Sequence, residues 1–290
     1  MVTIREARGE DFPRVYPLLL EFRNKGLSRE HWSQLFVDHS GLQNGRFGWM
    51  LVDGEEVVGF VGTILSERTI RGEKVRLCNT SSWIVKNAYR AHSLALHAKV
   101  IEDPDLAVTN LSPTAQVLKL LQRMGFTLMD KSERIIVPVV TPRTFTDHCE
   151  VLTDPAEVER ALAGEPLRFF RDHHLPYNHH ALLRAAEGDC YVMMNRSLKA
   201  IRGKLRVPVA RVHHIGAPEV FARHTEKAVA RIAAALRVPA MVVDDRMLRG
   251  RAPWHSFPRP GDKRQAAFRS GKLTADDIDG LYTEAVLLNY

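Results

Sequence analysis

Ser82-Trp83-Ile84-Val85-Lys86-Asn87-Ala88-Tyr89-Arg90-Ala91-His92-Ser93-Leu94-Ala95-Leu96 is the stretch on which the reading of this chain turns. An apolar run ends at Val85, a short polar turn follows, and a helix opens near His92 or Ser93. A helix N-terminus presents backbone N–H groups without intrahelical partners and carries a partial positive charge. Small side chains in the turn let a ligand approach that backbone closely. Strand, turn and helix together predict an anion site suited to a pyrophosphate.

Working outward, strands and helices alternate. Upstream, a short strand at 3–7 precedes a helix opened by Asp11-Phe12-Pro13, with Val15, Leu18, Leu19 and Phe22 at helical spacing. A second helix covers 29–36. Strands at 48–52 and 57–65 flank the turn signal Asp53-Gly54, and a long strand at 75–85 follows the turn Arg71-Gly72-Glu73. Downstream, the helix runs to about 103 and a buried strand covers 106–111. Ser112 caps the next helix with Pro113 at its first position, and Met124-Gly125 closes it. One long or two short strands lie within 126–140.

The texture changes at Thr141-Pro142-Arg143. We read 1–140 as one domain, 141–152 as a linker and 153–290 as a second domain. The second half repeats the order in looser form. It has helices at 157–162 and 167–173, a strand pair at 190–194 and 197–202, and a strand at 206–215. A helix at 219–236, a buried strand at 240–243, a Pro/Arg/Gly-rich loop at 250–263 and an apolar strand at 283–289 complete it. The fold class expected is α/β, in detail an α+β mixed sheet in each half, central and flanked by helices.

The opening stretch resembles the cofactor-binding motif of the GNAT (acyl-CoA N-acyltransferase) superfamily. That motif is a strand ending in Val, a Tyr-Arg pair, then Arg/Gln-x-x-Gly-x-Gly/Ala. Arg90-Ala91-His92-Ser93-Leu94-Ala95 falls on it: Arg90 and Ala95 match, and Ser93 stands where the central glycine would be. Thr109-Asn110-Leu111-Ser112-Pro113, ahead of a helix ending in Met124-Gly125-Phe126, resembles the family's next strand and helix, which commonly close on a Gly-Phe pair. Motifs and element order cover 1–140; only the order covers 150–290.

The resemblance implies two GNAT-like domains, the C-terminal copy degenerate and without its own cofactor. It implies transfer of an acyl group from acyl-CoA, acetyl or longer, to an amine acceptor by direct attack on the thioester, with no metal. Trp83, Ile84 and Val85 at the strand end, and Arg90, Ala91, His92, Ser93, Leu94 and Ala95 in the turn and helix, would hold the cofactor. A backbone N–H around 83–85 would polarise the thioester carbonyl. Asn79, Ser81 and Trp83, alternating along the strand, would share one face and line the acyl or acceptor pocket. Ser81 and Asn110 are the catalytic candidates, with Ser112 beside Asn110. Beside these roles, Asn79 and Ser81 read as polar residues satisfied inside a sheet, Trp83 as a core residue, and Asn110 as a turn residue bonding local backbone.

The chain also departs from the family pattern. Leu121 occupies the position where many members carry a proton-donating tyrosine, and Thr114 falls where an asparagine is usual. The strand ending at Val85 has no carboxylate beyond Glu73, so no general base is legible. A catalytically inactive module that binds an acyl thioester or a protein therefore stays open, and so does an acyl-carrier-protein donor.

Composition narrows the other classes. The chain has 290 residues, 45% of them hydrophobic and 26% charged, which suits two globular domains and excludes a disordered or collagenous chain. The longest apolar runs, such as Ile135-Ile136-Val137-Pro138-Val139-Val140, fall far short of the ~20 residues of a membrane helix. Met1-Val2-Thr3-Ile4-Arg5-Glu6-Ala7-Arg8 carries charge where a signal peptide is apolar, and Cys78, Cys149 and Cys190 form no CxxC pair. A cytoplasmic location follows. The net charge of +7 is scattered, so it suits a phosphate-bearing ligand, and nucleic-acid binding ranks last. Cys78 sits in an apolar strand and is no nucleophile. His173, His174, His179 and His180 cluster without a zinc spacing, and Pro176 breaks any shared helix face, which leaves an acceptor-site role as their other reading. His213 and His214 are expected on opposite faces of a strand, one of them a candidate base. A homodimer stays open.

Overall fold

The alternation closes into two seven-stranded mixed sheets in a computed structural model, which describes every residue except Lys25, 202–204, 260–263 and Tyr290. In chain order the first elements are β1 (Val2–Glu6), α1 (Phe12–Leu19), α2 (Arg29–Ser33), β2 (Gly48–Asp53), β3 (Glu56–Ile70), β4 (Glu73–Val85), α3 (Ser93–Ala98), β5 (Ala107–Asn110), α4 (Ala115–Arg123) and β6 (Thr127–Asp130). There follow β7 (Glu133–Ile136), α5 (Pro142–Thr146), β8 (Glu150–Leu152), α6 (Pro155–Ala161), α7 (Gly164–Asp172), β9 (Asn178–Ala185), β10 (Gly188–Ile201) and β11 (Leu205–Ile215). The last are α8 (Pro218–Arg223), α9 (Thr225–Leu236), β12 (Met241–Asp244), β13 (Ser256–Pro258), β14 (Gln265–Arg269) and α10 (Glu284–Leu288).

The chain divides into two compact units. Unit 1 holds Met1–Met129, Gln265–Asp277 and Tyr282–Tyr290; unit 2 holds Asp130–Arg264 and Ile278–Leu281. The division therefore falls at 129/130 rather than at 140, and two C-terminal segments return to unit 1. Pairing explains the difference. β6 joins the first sheet and β7 the second, where β7 lies antiparallel to β12 and β13. The segment expected as a linker, 141–152, is instead α5 and β8, and β8 pairs with β9.

The first sheet runs β1-β2-β3-β4-β5-β14-β6. Its first four strands are antiparallel neighbours, and β5 then runs parallel to β4. β3 is buried on both faces from Val57 to Ser66, as expected of a central strand covered on both sides. Its hairpin with β4 turns through Arg71 and Gly72, both at positive φ, as a tight two-residue loop requires. Val58, Val61, Cys78, Leu96 and Leu121 lie together in the core. β14 is a strand that sequence reading missed, and it pairs antiparallel with β5.

The second sheet runs β13-β7-β12-β11-β10-β9-β8. Read from β8, it repeats the plan: four antiparallel strands, then β12 parallel to β11, then a strand from a distant part of the chain. The two runs expected as a pair at 190–202 are one strand, β10; Arg202 lies outside the described residues. The helix expected at 219–236 breaks at His224 into α8 and α9. Within the expected loop 250–263, residues 256–258 form β13, and 260–263 lie outside the described residues.

Two further corrections touch the site. Thr114, not Ser112, caps α4: its hydroxyl accepts from the Val117 N–H at 3.3 Å. The apolar run 283–289 is not a strand but the short helix α10, with Thr283 as its N-cap.

Candidate active site

β4 breaks at Ser82. This residue has φ 52°, in the left-handed region that a non-glycine side chain rarely occupies. The register shows why: Ser81 faces Gly62 and Ile84 faces Phe60, so Val61 stands opposite both Ser82 and Trp83. Such a bulge takes one residue's backbone out of the ladder and re-aims it. The expected break lay at 83–85; the structure puts it one residue earlier. Alternation fails there as a result. Thr80, Ser81, Ser82 and Trp83 all reach one cavity, where only every second residue was expected.

β4 and β5 also part at this level. Their parallel pairing runs through Leu77–Ala107, Cys78–Val108 and Asn79–Thr109 and goes no further. Side chains bridge the start of the gap. The Asn110 amide donates to Thr80 Oγ1 at 3.0 Å, and Thr80 Oγ1 donates to the Thr109 carbonyl at 3.1 Å. Ser81 and Asn110, the catalytic candidates, are both buried and both line the cavity.

The cavity measures about 270 Å³. β4 forms one wall, and Pro113, Thr114 and Val117 around the start of α4 form another. Phe22, Leu27 and Trp32, around the α1–α2 connection, form a third, with Phe22 and Trp32 stacked at 6.0 Å between ring centroids. α10 adds Glu284 and Leu288.

Glu284 is the residue that sequence reading missed. Its carboxylate lines the cavity at 4% exposure. It accepts hydrogen bonds from Asn79 Nδ2 and from Ser112 Oγ. Asn79 in turn accepts at 3.2 Å from the Thr109 hydroxyl, so the network runs from β5 through β4 to α10. β4 itself has no carboxylate beyond Glu73 at its start; this one comes from 205 residues beyond Asn79. The one local signal was Thr283-Glu284 ahead of an apolar run, a helix-start composition.

Behind the bulge, the Trp83 ring lies 4.3 Å from the ring of His97, which is fully buried against Phe126. Burial lowers the His97 pKa to about 4, so the imidazole is neutral. Neither of its nitrogens, nor Trp83 Nε1, has a hydrogen-bond partner among the described residues. Burial pushes the Cys78 thiol up to about 12, which rules it out as a nucleophile. Leu121 is fully buried in the core.

The expected pyrophosphate segment lies apart from the cavity lining. Ile84 and Val85 stay in β4, paired with Phe60 and Gly59. A 3₁₀ segment over Asn87–His92 then precedes α3, which is shorter than expected. Arg90, Ala91, His92, Leu94 and Ala95 are exposed and Ser93 is half-buried. The site elements so brought together are the bulge, Ser81, Trp83 and Asn110; Arg90 to Ala95 form a separate, solvent-facing surface of unit 1.

In unit 2, β11 pairs with β12 only at Ala210–Met241 and Arg211–Val242. A bulge follows, with Met193 facing His214 and Met194 facing Val212, so His213 is an inserted residue. Residues 278–281 occupy this region. The Gly280 N–H donates to the His213 carbonyl at 2.8 Å, and His214 Nδ1 lies 2.6 Å from Asp279. A Cβ at Gly280 would come within 2.9 Å of His213 Nδ1, so glycine is required there. His173 and His180 are bound separately, to the Phe169 carbonyl and the Tyr191 hydroxyl. Among the described residues no group of three or more His, Cys, Asp or Glu is placed to hold a metal ion. No described helix is long and apolar enough to cross a membrane.

No protein-family model and no curated protein matches the sequence. Solved structures do match the fold. A conserved Enterococcus faecalis protein of unknown function, described as a probable N-acyltransferase, superposes with TM-score 0.57 at 11% identity, over 92% of this chain and 72% of that one. A GCN5-related N-acetyltransferase from Kribbella flavida gives 0.55 at 15% identity, over 92% and 70%. Saccharomyces cerevisiae N-myristoyltransferase, solved with myristoyl-CoA, gives 0.50 at 10% identity, over 97% and 83%. The chain has the GNAT fold, in two copies.

Proposed function

We propose that this protein is an N-acyltransferase that moves an acyl group from acyl-CoA to an amine, with the chemistry in unit 1. One observation carries the reading: the left-handed break of β4 at Ser82 coincides with the parting of β4 from β5, and both open on the same cavity. A bulged backbone N–H at 82–83 is then directed toward the thioester carbonyl, where negative charge develops during attack. Ser81 and Asn110 flank it and orient the thioester. The segment from Arg90 to Ala95, where the 3₁₀ turn enters α3, meets the pyrophosphate, with Arg90 as its cation. That surface would serve a carrier-bound phosphopantetheine as well as free CoA.

Glu284 supplies the proton route. The amine arrives as an ammonium ion and must lose a proton before it can attack. Glu284 takes that proton. The nitrogen then forms its bond to the carbonyl carbon, the carbon–sulfur bond breaks, and the second nitrogen proton passes through water to the departing thiolate. Leu121 makes no contribution, which fits its burial in the core. Unit 2 carries no cofactor of its own in this reading, because its own chain at 278–281 occupies the region beside the β11 bulge. The three cysteines, all buried and unpaired, suit a reducing cytoplasm.

The test is thermal unfolding with acetyl-CoA, longer acyl-CoAs and CoA, paired with thiol release in the presence of amines. A ligand at 100 times its Kd adds about 2.7 kcal/mol. The midpoint should rise with the acyl donors, and Arg90→Glu should suppress the rise. No shift with any donor and no thiol release would overturn the reading.

A further inference from the structure

We infer a second anion site in unit 1, apart from the Ser82 cavity, that takes a phosphate group with a hydroxyl on it or beside it. A cleft of about 270 Å³ lies where β1 ends, β2 begins and β4 starts. Glu6, Arg8, Gln43, Arg46 and Arg76 are among its lining residues, and it shares none with the Ser82 cavity. Arg76 stands near the start of β4 and Ser82 near its end, about 20 Å apart at the rise of an extended strand. The site does not depend on acyl transfer.

Charge is the first observation. Three guanidinium groups line the cleft against one carboxylate. Glu6 holds two of them: Oε2 accepts from Arg8 Nη2, and Oε1 accepts from Arg46 Nη1 at 3.3 Å. Arg8 Nη1 also donates to the Asn44 carbonyl at 3.4 Å. Arg76 pairs at 3.0 Å with Asp103, which is not part of the lining. A guanidinium has more N–H donors than these bonds use. The surplus donors are charge-assisted and forked, the chemistry that suits phosphate oxygens.

The wall is also preset. Asp38 accepts at 3.0 Å from the N–H groups of Leu42 and Gln43 and so fixes the loop that carries Gln43, Asn44 and Arg46. Asn44 and Gly45 then take left-handed φ values of 50° and 73°, and the Arg46 N–H closes the turn on the Gln43 carbonyl at 2.9 Å. Little ordering is left for an occupant to impose.

Gln43 is the second, independent observation. It lines the cleft at 3% exposure. Its Nε2 donates to the Thr63 carbonyl at 2.7 Å, which fixes the orientation of the amide. Oε1 is then an acceptor without a partner in the structure. A buried acceptor left so is costly. Arginines ask the occupant for acceptors and Gln43 asks it for a donor. A phosphate that carries an O–H, or has one on the next carbon, offers both; sulfate at neutral pH offers only the first.

Inorganic phosphate, glycerol phosphate and sulfate are titrated into the full-length protein by calorimetry at low ionic strength, where surface charge is least screened. At least one of the two phosphates should bind about tenfold or more tightly than sulfate. Which of them binds tells whether the hydroxyl sits on phosphorus or on the neighbouring carbon. Arg76→Gln removes a cation whose one partner is itself well exposed, so the fold should be kept while phosphate binding weakens about tenfold. Gln43→Met should bring the phosphates down to the level of sulfate, with urea unfolding as the control for folding. Arg90→Glu, on the separate surface assigned to the pyrophosphate, should leave phosphate binding unchanged. Sulfate bound as tightly as both phosphates overturns the inference. So does phosphate binding that is lost in Arg90→Glu and kept in Arg76→Gln, because the anion would then sit on the cofactor surface. Binding of none of the three overturns the site outright.

Discussion

Replacing Glu284 with glutamine keeps the size of the side chain and removes its capacity to take a proton. The structural cost is small. Asn79 Nδ2 and Ser112 Oγ both donate to the carboxylate. Glutamine retains an acceptor oxygen for Asn79, and the Ser112 hydroxyl can rotate to accept from the new amide. Net loss of stability should stay near 1 kcal/mol, the worth of a single hydrogen bond. The kinetic cost is larger. Removing a general base costs about 10²–10⁴-fold. An alkylammonium of pKa about 10.4 is neutral in roughly one molecule in 2500 at pH 7, and in about 4% of molecules at pH 9. The variant must draw on that neutral fraction, so its defect should shrink by about 100-fold between these pH values. The native protein, which accepts the ammonium form, should change little. Thiol release with a primary alkylamine acceptor at both pH values measures this, with urea unfolding as the control for folding. A variant within about threefold of the native kcat/KM at pH 7, or a defect that does not change with pH, would refute the proton-acceptor role.

Two further outcomes follow from the same unit. Ser82→Gly should leave folding and turnover near native, since glycine enters φ 52° without strain, whereas Ser82→Val should cost about 1–3 kcal/mol and lower kcat more than it raises KM; a valine variant of native stability would remove the left-handed break from the argument. Burial lowers the His97 pKa to about 4 from the ordinary 6.5, so between these values the unfolded chain binds a proton that the folded one does not. Its contribution is therefore intact above pH 6.5 and falls away toward pH 4, by roughly 3 kcal/mol. His97→Leu should flatten that part of the stability curve, while the slope from His180 and His213 in unit 2, both also lowered by burial, persists. Parallel curves for native and variant proteins in urea unfolding would contradict the assignment.

Much of unit 1 was legible because its signals are local. Gly54 and Gly72 sit at positive φ in the turns the sequence marks, and α1 buries Val15, Leu18 and Leu19 at the spacing read from its apolar residues. Gly125 at φ 82° closes α4 where Met124-Gly125 predicts. The misreadings are equally instructive. Ser112-Pro113 has the composition of a helix start, yet the Ser112 hydroxyl is engaged by Glu284 and the cap passes to Thr114. The five residues of α10 are too few for periodicity to distinguish a helix from a strand. Alternation along β4 placed Asn79, Ser81 and Trp83 on one face, but a bulge resets alternation, and no single residue type announces one.

The sequence by itself determined the element order through 140, the helix start near Ser93 and the resemblance that Arg90–Ala95 carries, because each depends on neighbours a few positions apart. Only the tertiary structure decided which sheet β7 and β14 join, where β4 leaves its ladder, and that Glu284 stands in the cavity beside residues more than 170 positions away. Strand partners and buried charges are chosen by packing across the whole chain. Which sheet a strand joins, and where a carboxylate is finally satisfied, are therefore decided only once the sheets have formed.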